Sequence, residues 1–389
     1  MDATAAAGFL RFFEDLPDPR ADHARHKLHD ILLIAVMGVV CGCDGWVQVA
    51  LFGRTKEKWL RTFLDLPGGI PSHDTFRRVF SLLEPAEFER CFMAWMAAVV
   101  AVCGGKLIAI DGKALRRSFE HAWDRSGMAH LVSAFVTAGG NQMVFGQVAV
   151  EDKGNEVVAI PRLLALMDLG GAVVTIDAIG CQRDIAGRVA DGGGDYVLPV
   201  KDNQPTLLAK VKALADDFVL DQVKGVAGSR VGYHEERDDA HGRVETRRVW
   251  VTDEVTWLGE DLLALWPGLK TGSIAVVERV RQDLGDPNGT VTADRHYYIT
   301  SLGGLDAGRI AGAVRGHWAV ENNLHWQLDV TFKEDDRRVR KGHGAENFSR
   351  LCRIALNLLK RDTTVKAGIA TKRLNAGWDN DYLLQLMSR

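Results

Sequence analysis

Residues 172–200 decide the fold: AVVTIDAIGCQRDIAGRVADGGGDYVLPV. The apolar and β-branched run Ala172–Ile176 predicts a buried strand. An amphipathic helix is predicted at Gln182–Ala190, and a second strand at Asp195–Val200 follows a glycine-rich turn. A strand, a helix and a strand in this order predict an α/β fold in which helices cover the faces of a sheet.

Predicted elements continue on both sides of this stretch. Before it we expect three strands and one helix, at Leu107–Ile110, His130–Val136, Met143–Val150 and Glu156–Met167. After it we expect a helix at 205–218, strands at Arg243–Thr252, Ser273–Arg281 and His296–Ser301, and a helix at Asp306–Leu328. The outer parts look helical, at 28–41, 45–65, 72–83, 85–103 and 346–359. The pattern predicts a mixed sheet with a β-rich insertion between helical ends.

The composition is that of a soluble globular protein, with 47% hydrophobic and 25% charged residues. The six cysteines form no CxxC pair, which favours reduced thiols over disulfides or a zinc site. The apolar run Ile31–Cys43 is shorter than the ~20 residues that a spanning helix needs. With no secretory leader in view, we expect a cytoplasmic protein without a membrane partner.

The net charge of −3 does not by itself favour nucleic acid as a partner, but a basic footprint can be local. Between Arg337 and Arg373 there are eleven Lys or Arg residues against only Glu346 and Asp362, an excess of nine positive charges. A solvated helix face is the ordinary explanation of such a run, and phosphate binding is the functional one.

Two aspartates follow predicted strands in the same Ile-Asp context. Asp111 directly follows the predicted strand Leu107–Ile110, and Asp177 directly follows Ala172–Ile176. A carboxylate at the end of a buried strand is costly to desolvate unless it is paired or bound to a cation. An aspartate that merely ends a strand or caps a helix is the commoner role of either residue alone, and the pair leaves both interpretations open.

Glu321 is the third acidic candidate. On the predicted helix 306–328 it falls with His317 on the apolar stripe between Val314 and Leu324, so we expect it to face the sheet. Pairing with His317 or Arg315 explains it equally well. If Asp111, Asp177 and Glu321 do share a site, three oxygen ligands suit Mg²⁺ or Mn²⁺ better than zinc. Two such ions can catalyse in-line phosphoryl transfer.

The chain resembles the ISAs-type transposases of bacterial insertion sequences, also called H-repeat-associated proteins, within the DDE superfamily. Matching strings run in order along almost the whole chain, at 13–20, 110–116, 155–161, 175–182, 196–204, 317–329, 354–360 and 376–378. The resemblance implies an RNase H-like core with a β-rich insertion at about 205–302, and it assigns Asp111, Asp177 and Glu321 as the catalytic, metal-binding triad. Glu156 and His317 are candidates for a supporting role around that triad.

The resemblance also implies partners and boundaries. We expect an N-terminal helical domain at 1–103 that binds the element's ends, a catalytic domain at 104–345 and a helical, basic C-terminal tail at 346–389. The expected partners are double-stranded DNA, as terminal inverted repeats and as target, and a second copy of the chain in a homodimer on DNA. Two ions of Mg²⁺, or Mn²⁺, are the expected cofactors.

One departure separates the chain from the hairpin-forming relatives. Their signature around the last carboxylate is Y-x2-R-x3-E-x6-K. Counted from Glu321, this chain has Val314, His317 and Leu328 at the Tyr, Arg and Lys positions, so it stays open whether the ends are cut through a hairpin. Other basic residues would then contact phosphate, and the candidates are Arg77, Arg78, Lys113, Lys201, Arg315, Lys333, Arg337, Arg338, Arg340 and Lys341. Trp318 and Trp326 could stack on a base, but on a helix we interpret them as core.

The sequence is therefore compatible with three functions. The first is an active transposase that cuts insertion-sequence ends and joins them to target DNA. The second is a transposon-derived DNA-binding protein without catalysis. The third, a metal-dependent phosphohydrolase of small substrates, predicts no salt-sensitive affinity for DNA.

Overall fold

The computed structural model describes residues 3–20, 24–100, 106–115, 118, 129–138, 141–150, 156–224, 230–239, 243–283 and 291–388. The chain forms two compact units that do not follow chain order. Unit 1 comprises Met1–Gly104, Gly112–Asn155 and Val320–Arg389, and unit 2 comprises Gly105–Asp111 and Glu156–Ala319.

The strands in these ranges are β1 (Lys106–Ala114), β2 (His130–Ala138), β3 (Asn141–Val150), β4 (Val173–Ile176), β5 (Asp195–Val200), β6 (Gly232–Asp238), β7 (Arg243–Thr252), β8 (Ser273–Asp283) and β9 (Thr292–Thr300). The α-helices are α1 (Ala3–Leu10), α2 (Leu28–Val40), α3 (Trp46–Thr55), α4 (Glu57–Leu60), α5 (His73–Leu82), α6 (Pro85–Val100), α7 (Glu156–Leu164), α8 (Arg183–Asp191), α9 (Pro205–Lys224), α10 (Glu260–Ala264), α11 (Ala307–Val320), α12 (Gly344–Arg361), α13 (Ile369–Trp378) and α14 (Asn380–Met387).

Unit 2 is built on a mixed sheet with the strand order β1-β4-β5-β9-β8-β7-β6. Strands β1, β4 and β5 run parallel, and the remaining neighbours pair antiparallel. One face of this sheet packs under α11, where Val173, Val197 and Val277 meet Ile310 and Val314 in a buried apolar cluster. The predicted mixed α/β class is confirmed, and the strands predicted at 243–301 are β7, β8 and β9.

Unit 1 contains the antiparallel pair β2–β3, with a register shift between Ala134 and Phe135. Aromatic rings pack its helices together. The Trp46 ring stacks on Phe80 with 4.8 Å between ring centroids, and it contacts the Phe348 ring edge-on with 4.7 Å between centroids. Within the described helices, none is long and apolar enough to cross a membrane. The described cysteines are free, whereas Cys103 lies outside the described residues.

Several predicted boundaries shift in the structure. The helix predicted at 45–65 is split into α3 and α4, and the one predicted at 306–328 is α-helical only to Val320 and continues as π-helix. The edge strand β6 was not predicted, because its sequence GYHEERD is too charged for a buried strand. Charged residues of this kind are typical of sheet edges.

Candidate active site

Asp111 and Asp177 lie side by side in unit 2. Ile110 pairs with Ile176 in the parallel β1–β4 ladder, so each aspartate comes one residue after a paired isoleucine. Side chains alternate along a strand, and Asp111 therefore shares a face with Ala109, and Asp177 with Thr175. That face is the one covered by α11, because Val173 on the same side belongs to the α11 cluster. The structure thus brings these two predicted carboxylates together.

The environment of Asp177 opposes ionisation of its carboxyl. Burial raises the pKa of this carboxyl, while the N–H groups of Gly180 and Ile179 and the charge of Lys201 lower it, with a raised pKa as the net result. Lys201 follows β5 and is exposed. A half-buried carboxylate that its protein surroundings do not fully compensate is suited to a bound cation, which would stabilise the charged form.

His317 fixes the end of α11 against the sheet of unit 2. Its imidazole donates a hydrogen bond to the backbone carbonyl of Thr175, two residues before Asp177. Burial lowers the pKa of His317 to about 4, and the Thr175 carbonyl opposes that shift only in part. The ring is therefore neutral at pH 7. The expectation that His317 faces the sheet is confirmed.

Glu321 lies in unit 1 and opens a π-helical segment, Glu321–His325, directly after α11. Its side chain is exposed, so the expectation that it packs on the apolar stripe was wrong. Leu324 and Leu328 of the predicted stripe are buried, but between Val314 and Leu324 the buried side chain is that of Val320, one residue before Glu321. The α-helical period used for the prediction ends at Val320. π-Helical turns inside helices are frequent at functional sites.

Two tryptophans on these helices also depart from expectation. Trp318 in unit 2 is 49% exposed and Trp326 in unit 1 is 53% exposed, so the interpretation of both as core was wrong. Helical spacing predicts which residues share a face but cannot tell which face is covered.

The predicted basic residues fall into two groups. Arg78, Lys201, Arg338 and Lys341 are exposed. Lys333 is also exposed, in a left-handed backbone conformation with φ of 51°, and its amine lies 3.9 Å from the Asp44 carboxylate. The others already have protein partners or are partly covered. Arg77 forms an ion pair with Asp74 at 2.8 Å, and Arg315 forms one with Glu236 at 2.7 Å. Arg337 lies over the Phe348 ring and donates a hydrogen bond to the carbonyl of Phe332. Arg340 is half-buried.

Lys113 is buried in unit 1 and forms an ion pair with Asp329, with Asp335 at 3.8 Å. Neither aspartate is among the site residues predicted from the sequence. Asp329 closes the matching string at 317–329, which is the signal that could have found it. Glu156 is half-buried at the first position of α7, where a carboxylate suits the positive end of the helix dipole.

The basic segment 337–373 is largely internal to unit 1. Arg350 and Arg353 are fully buried and pair with Glu89 and Glu334. Lys372 and Arg373 are also buried; Lys372 donates to the carbonyl of Leu359, and Arg373 to that of Val39. Four of the eleven cations are therefore buried in unit 1, so neither a solvated helix face nor phosphate binding accounts for the whole run.

No group of three or more His, Cys, Asp or Glu side chains within the described ranges is arranged to hold a metal ion. The adjacent pair Asp111 and Asp177 nevertheless offers the oxygen donors that Mg²⁺ prefers, and Mg²⁺ is commonly held by one or two carboxylates together with substrate phosphate. The two residues fit such an ion in donor type, and they lie on neighbouring strands.

Comparison with known proteins gives consistent results. The model of the transposase DDE domain family matches residues 103–358, and that of the DDE_Tnp_1-associated family matches residues 10–96. The chain is 39% identical over 376 residues to YhhI of Escherichia coli strain K12, which is named an H repeat-associated transposase, with 96% of each chain covered. It is 37% identical to YncI of E. coli O157:H7, also named a transposase, over 97% of this chain and 94% of the relative. An uncharacterized protein from the dhlA 3′ region of Xanthobacter autotrophicus is 45% identical over 75% of this chain and 93% of its own.

Proposed function

The chain belongs to the family of transposases with a DDE domain, and we propose from this premise that it cuts the ends of an insertion sequence and joins them to target DNA. The observation that carries the proposal is that Asp111 and Asp177 each come one residue after the pair Ile110–Ile176 on the neighbouring parallel strands β1 and β4. Phosphodiester cleavage and strand transfer need no protein nucleophile, which suits a site made of carboxylates.

Asp111 and Asp177 would hold Mg²⁺ or Mn²⁺, and the family's DDE pattern adds Glu321 as the third carboxylate. When bound, two such ions would activate the attacking hydroxyl and stabilise the leaving oxygen of the phosphate. His317 keeps α11 fixed at Thr175 and so helps to hold the strand end that carries Asp177 in position. Lys201 lies near enough to Asp177 to lower its pKa, and its exposed amine is free to approach a phosphate.

The wider architecture of the proposal follows the family. An RNase H-like core would span 104–345 with the β-rich insertion at about 205–302, preceded by an end-binding domain at 1–103 and followed by the helical tail at 346–389. Transposition holds two ends together, so we propose a homodimer on DNA. Much of the affinity would come from phosphate contacts and would fall steeply with added salt.

The test uses duplex DNA that carries the element's terminal inverted repeats, with and without Mg²⁺ or Mn²⁺. Wild-type protein should nick this DNA only with metal, and Asp111→Asn, Asp177→Asn or Glu321→Gln should each lower the rate by ~100-fold or more, since metal catalysis contributes several kcal/mol. The matched controls Asp191→Asn and Glu260→Gln change exposed acids elsewhere and should retain the rate.

The other outcomes separate the alternatives. Specific, salt-sensitive binding without metal-dependent nicking would indicate a DNA-binding protein without catalysis. Absence of salt-sensitive DNA affinity would instead favour a phosphohydrolase of small substrates. Nicking that survives Asp177→Asn would refute the assignment of the carboxylates.

A further inference from the structure

Unit 2 carries a cavity of about 790 Å³ that the proposed chemistry does not use. It lies between α7 and α8, and three of its lining residues are arginines, Arg162, Arg183 and Arg188. We call this cavity the arginine groove. Its remaining lining is apolar or uncharged except for Asp184, so the groove has two positive charges in excess.

These arginines differ from others of the same unit in lacking an acidic partner. Arg281 pairs with Glu245 at 2.9 Å and Arg295 with Glu278 at 2.8 Å. Arg162, Arg183 and Arg188 are all exposed, and none of them forms an ion pair with any residue that the structure describes. Three guanidinium groups against one carboxylate around one concavity create a positive potential that attracts an anionic ligand.

The arginine groove adjoins the strand ends of the candidate active site. Gln182 and Gln204 line it and bind each other at 3.3 Å. Gln182 donates to the carbonyl of Ile179, and Gln204 to that of Cys181, so both amides are tied to the loop that follows Asp177. A molecule in the groove would therefore extend from the same edge of the sheet that presents Asp177 and Lys201.

We propose that the arginine groove binds the phosphate backbone of duplex DNA next to the phosphate that is cut. This inference rests on the proposed function. Arginine binds phosphate through two parallel hydrogen bonds, and such backbone contacts position a duplex without regard to its sequence. Arg183 and Arg188 are five residues apart on α8, about 7.5 Å along the helix axis, which suits a series of phosphates rather than one small anion.

The test compares two triple variants of the full chain. One replaces Arg162, Arg183 and Arg188 with Gln, and the matched control replaces Arg237, Arg243 and Arg309, which are exposed in the same unit but do not line the groove. Fluorescence anisotropy with a labelled duplex, in metal-free buffer over a range of salt, gives the affinity and its salt slope. The slope in question is that of the logarithm of the binding constant against the logarithm of the salt concentration. It should become less steep by about 0.9 for each phosphate contact that the groove variant loses, and the control should keep the wild-type slope.

Equal slopes for the two triple variants would overturn the groove assignment, whether or not the wild-type protein cuts DNA. A slope loss confined to the groove variant supports it even if no nicking is observed, in which case only the proposed catalysis fails. Circular dichroism checks that both variants are folded. The single changes Arg183→Glu and Arg243→Glu repeat the comparison with a smaller perturbation, and only the first should weaken binding.

Discussion

Asp177 is a half-buried acid whose surroundings do not fully compensate its charge. Because its pKa in the folded chain is raised above 3.8, the stability that its neutral form contributes at low pH is lost as pH rises through the raised pKa. Asparagine can still accept the hydrogen bonds from Ile179 and Gly180 without carrying a charge.

We therefore expect Asp177→Asn to raise the free energy of unfolding at pH 7 in the presence of a chelator, as measured by urea denaturation. Asp191→Asn, at an exposed position, is the control and should change little. Added Mg²⁺ should stabilise the wild-type chain more than the variant. A metal-free Asp177→Asn protein less stable than wild type would contradict the electrostatic argument.

His317 makes the opposite contribution to the pH dependence of stability. Its pKa is lowered from 6.5 to about 4 in the folded chain, so its stabilisation is present above pH 6.5 and is lost as pH falls toward 4. Between pH 7 and pH 5 this amounts to about 2 kcal/mol.

The variant His317→Gln keeps a donor for the Thr175 carbonyl but does not titrate. Its free energy of unfolding should fall less than that of wild type between pH 7 and pH 5, and the exposed control His343→Gln should fall as wild type does. An unchanged pH dependence in His317→Gln would show that this imidazole is not held neutral by burial.

At the scale of elements, α12 is held by buried ion pairs rather than by a solvated basic face. The Arg350 guanidinium is buried and donates to Glu89, Asn347 and Glu346. Removing it leaves the buried carboxylate of Glu89 unpaired, and breaking a buried pair in this way typically costs about 3–5 kcal/mol.

We expect Arg350→Met to lower the free energy of unfolding by that amount in chemical denaturation. Arg338→Met, at an exposed position of the same basic segment, should stay within about 0.5 kcal/mol of wild type. A small effect of Arg350→Met would mean that the Arg350–Glu89 pair does not stabilise α12.

Sequence patterns predicted the strands that carry Asp111 and Asp177, because a short apolar run ending in an aspartate has few other interpretations. They did not predict the burial of Arg350, whose partner Glu89 lies 261 residues away in the chain. The position of Glu321 was also misjudged, because Val320 rather than Glu321 takes the buried position between Val314 and Leu324, and helical spacing does not tell which of two adjacent residues is covered.

At the scale of the whole molecule, the net charge does not predict where cations gather on the surface, and chain order does not predict which segments pack together. The net charge of −3 conceals a local excess of cations at the arginine groove, while much of the basic segment is neutralised internally. Unit 1 is assembled from three separate stretches of chain. Contacts between residues far apart in the sequence bring these stretches together. The function therefore depends on local surfaces rather than on overall composition.

The central claim is that Asp111 and Asp177 hold the catalytic metal, and iron-directed backbone cleavage tests it most directly. Fe²⁺ takes the place of Mg²⁺ in the complex with inverted-repeat DNA, and ascorbate and peroxide then generate radicals that cut the chain close to the ion. We predict cuts next to Asp111 and Asp177 that disappear on excess Mg²⁺ and in Asp177→Asn but persist in Asp191→Asn. Cuts that fall elsewhere, or that survive Asp177→Asn unchanged, would contradict it.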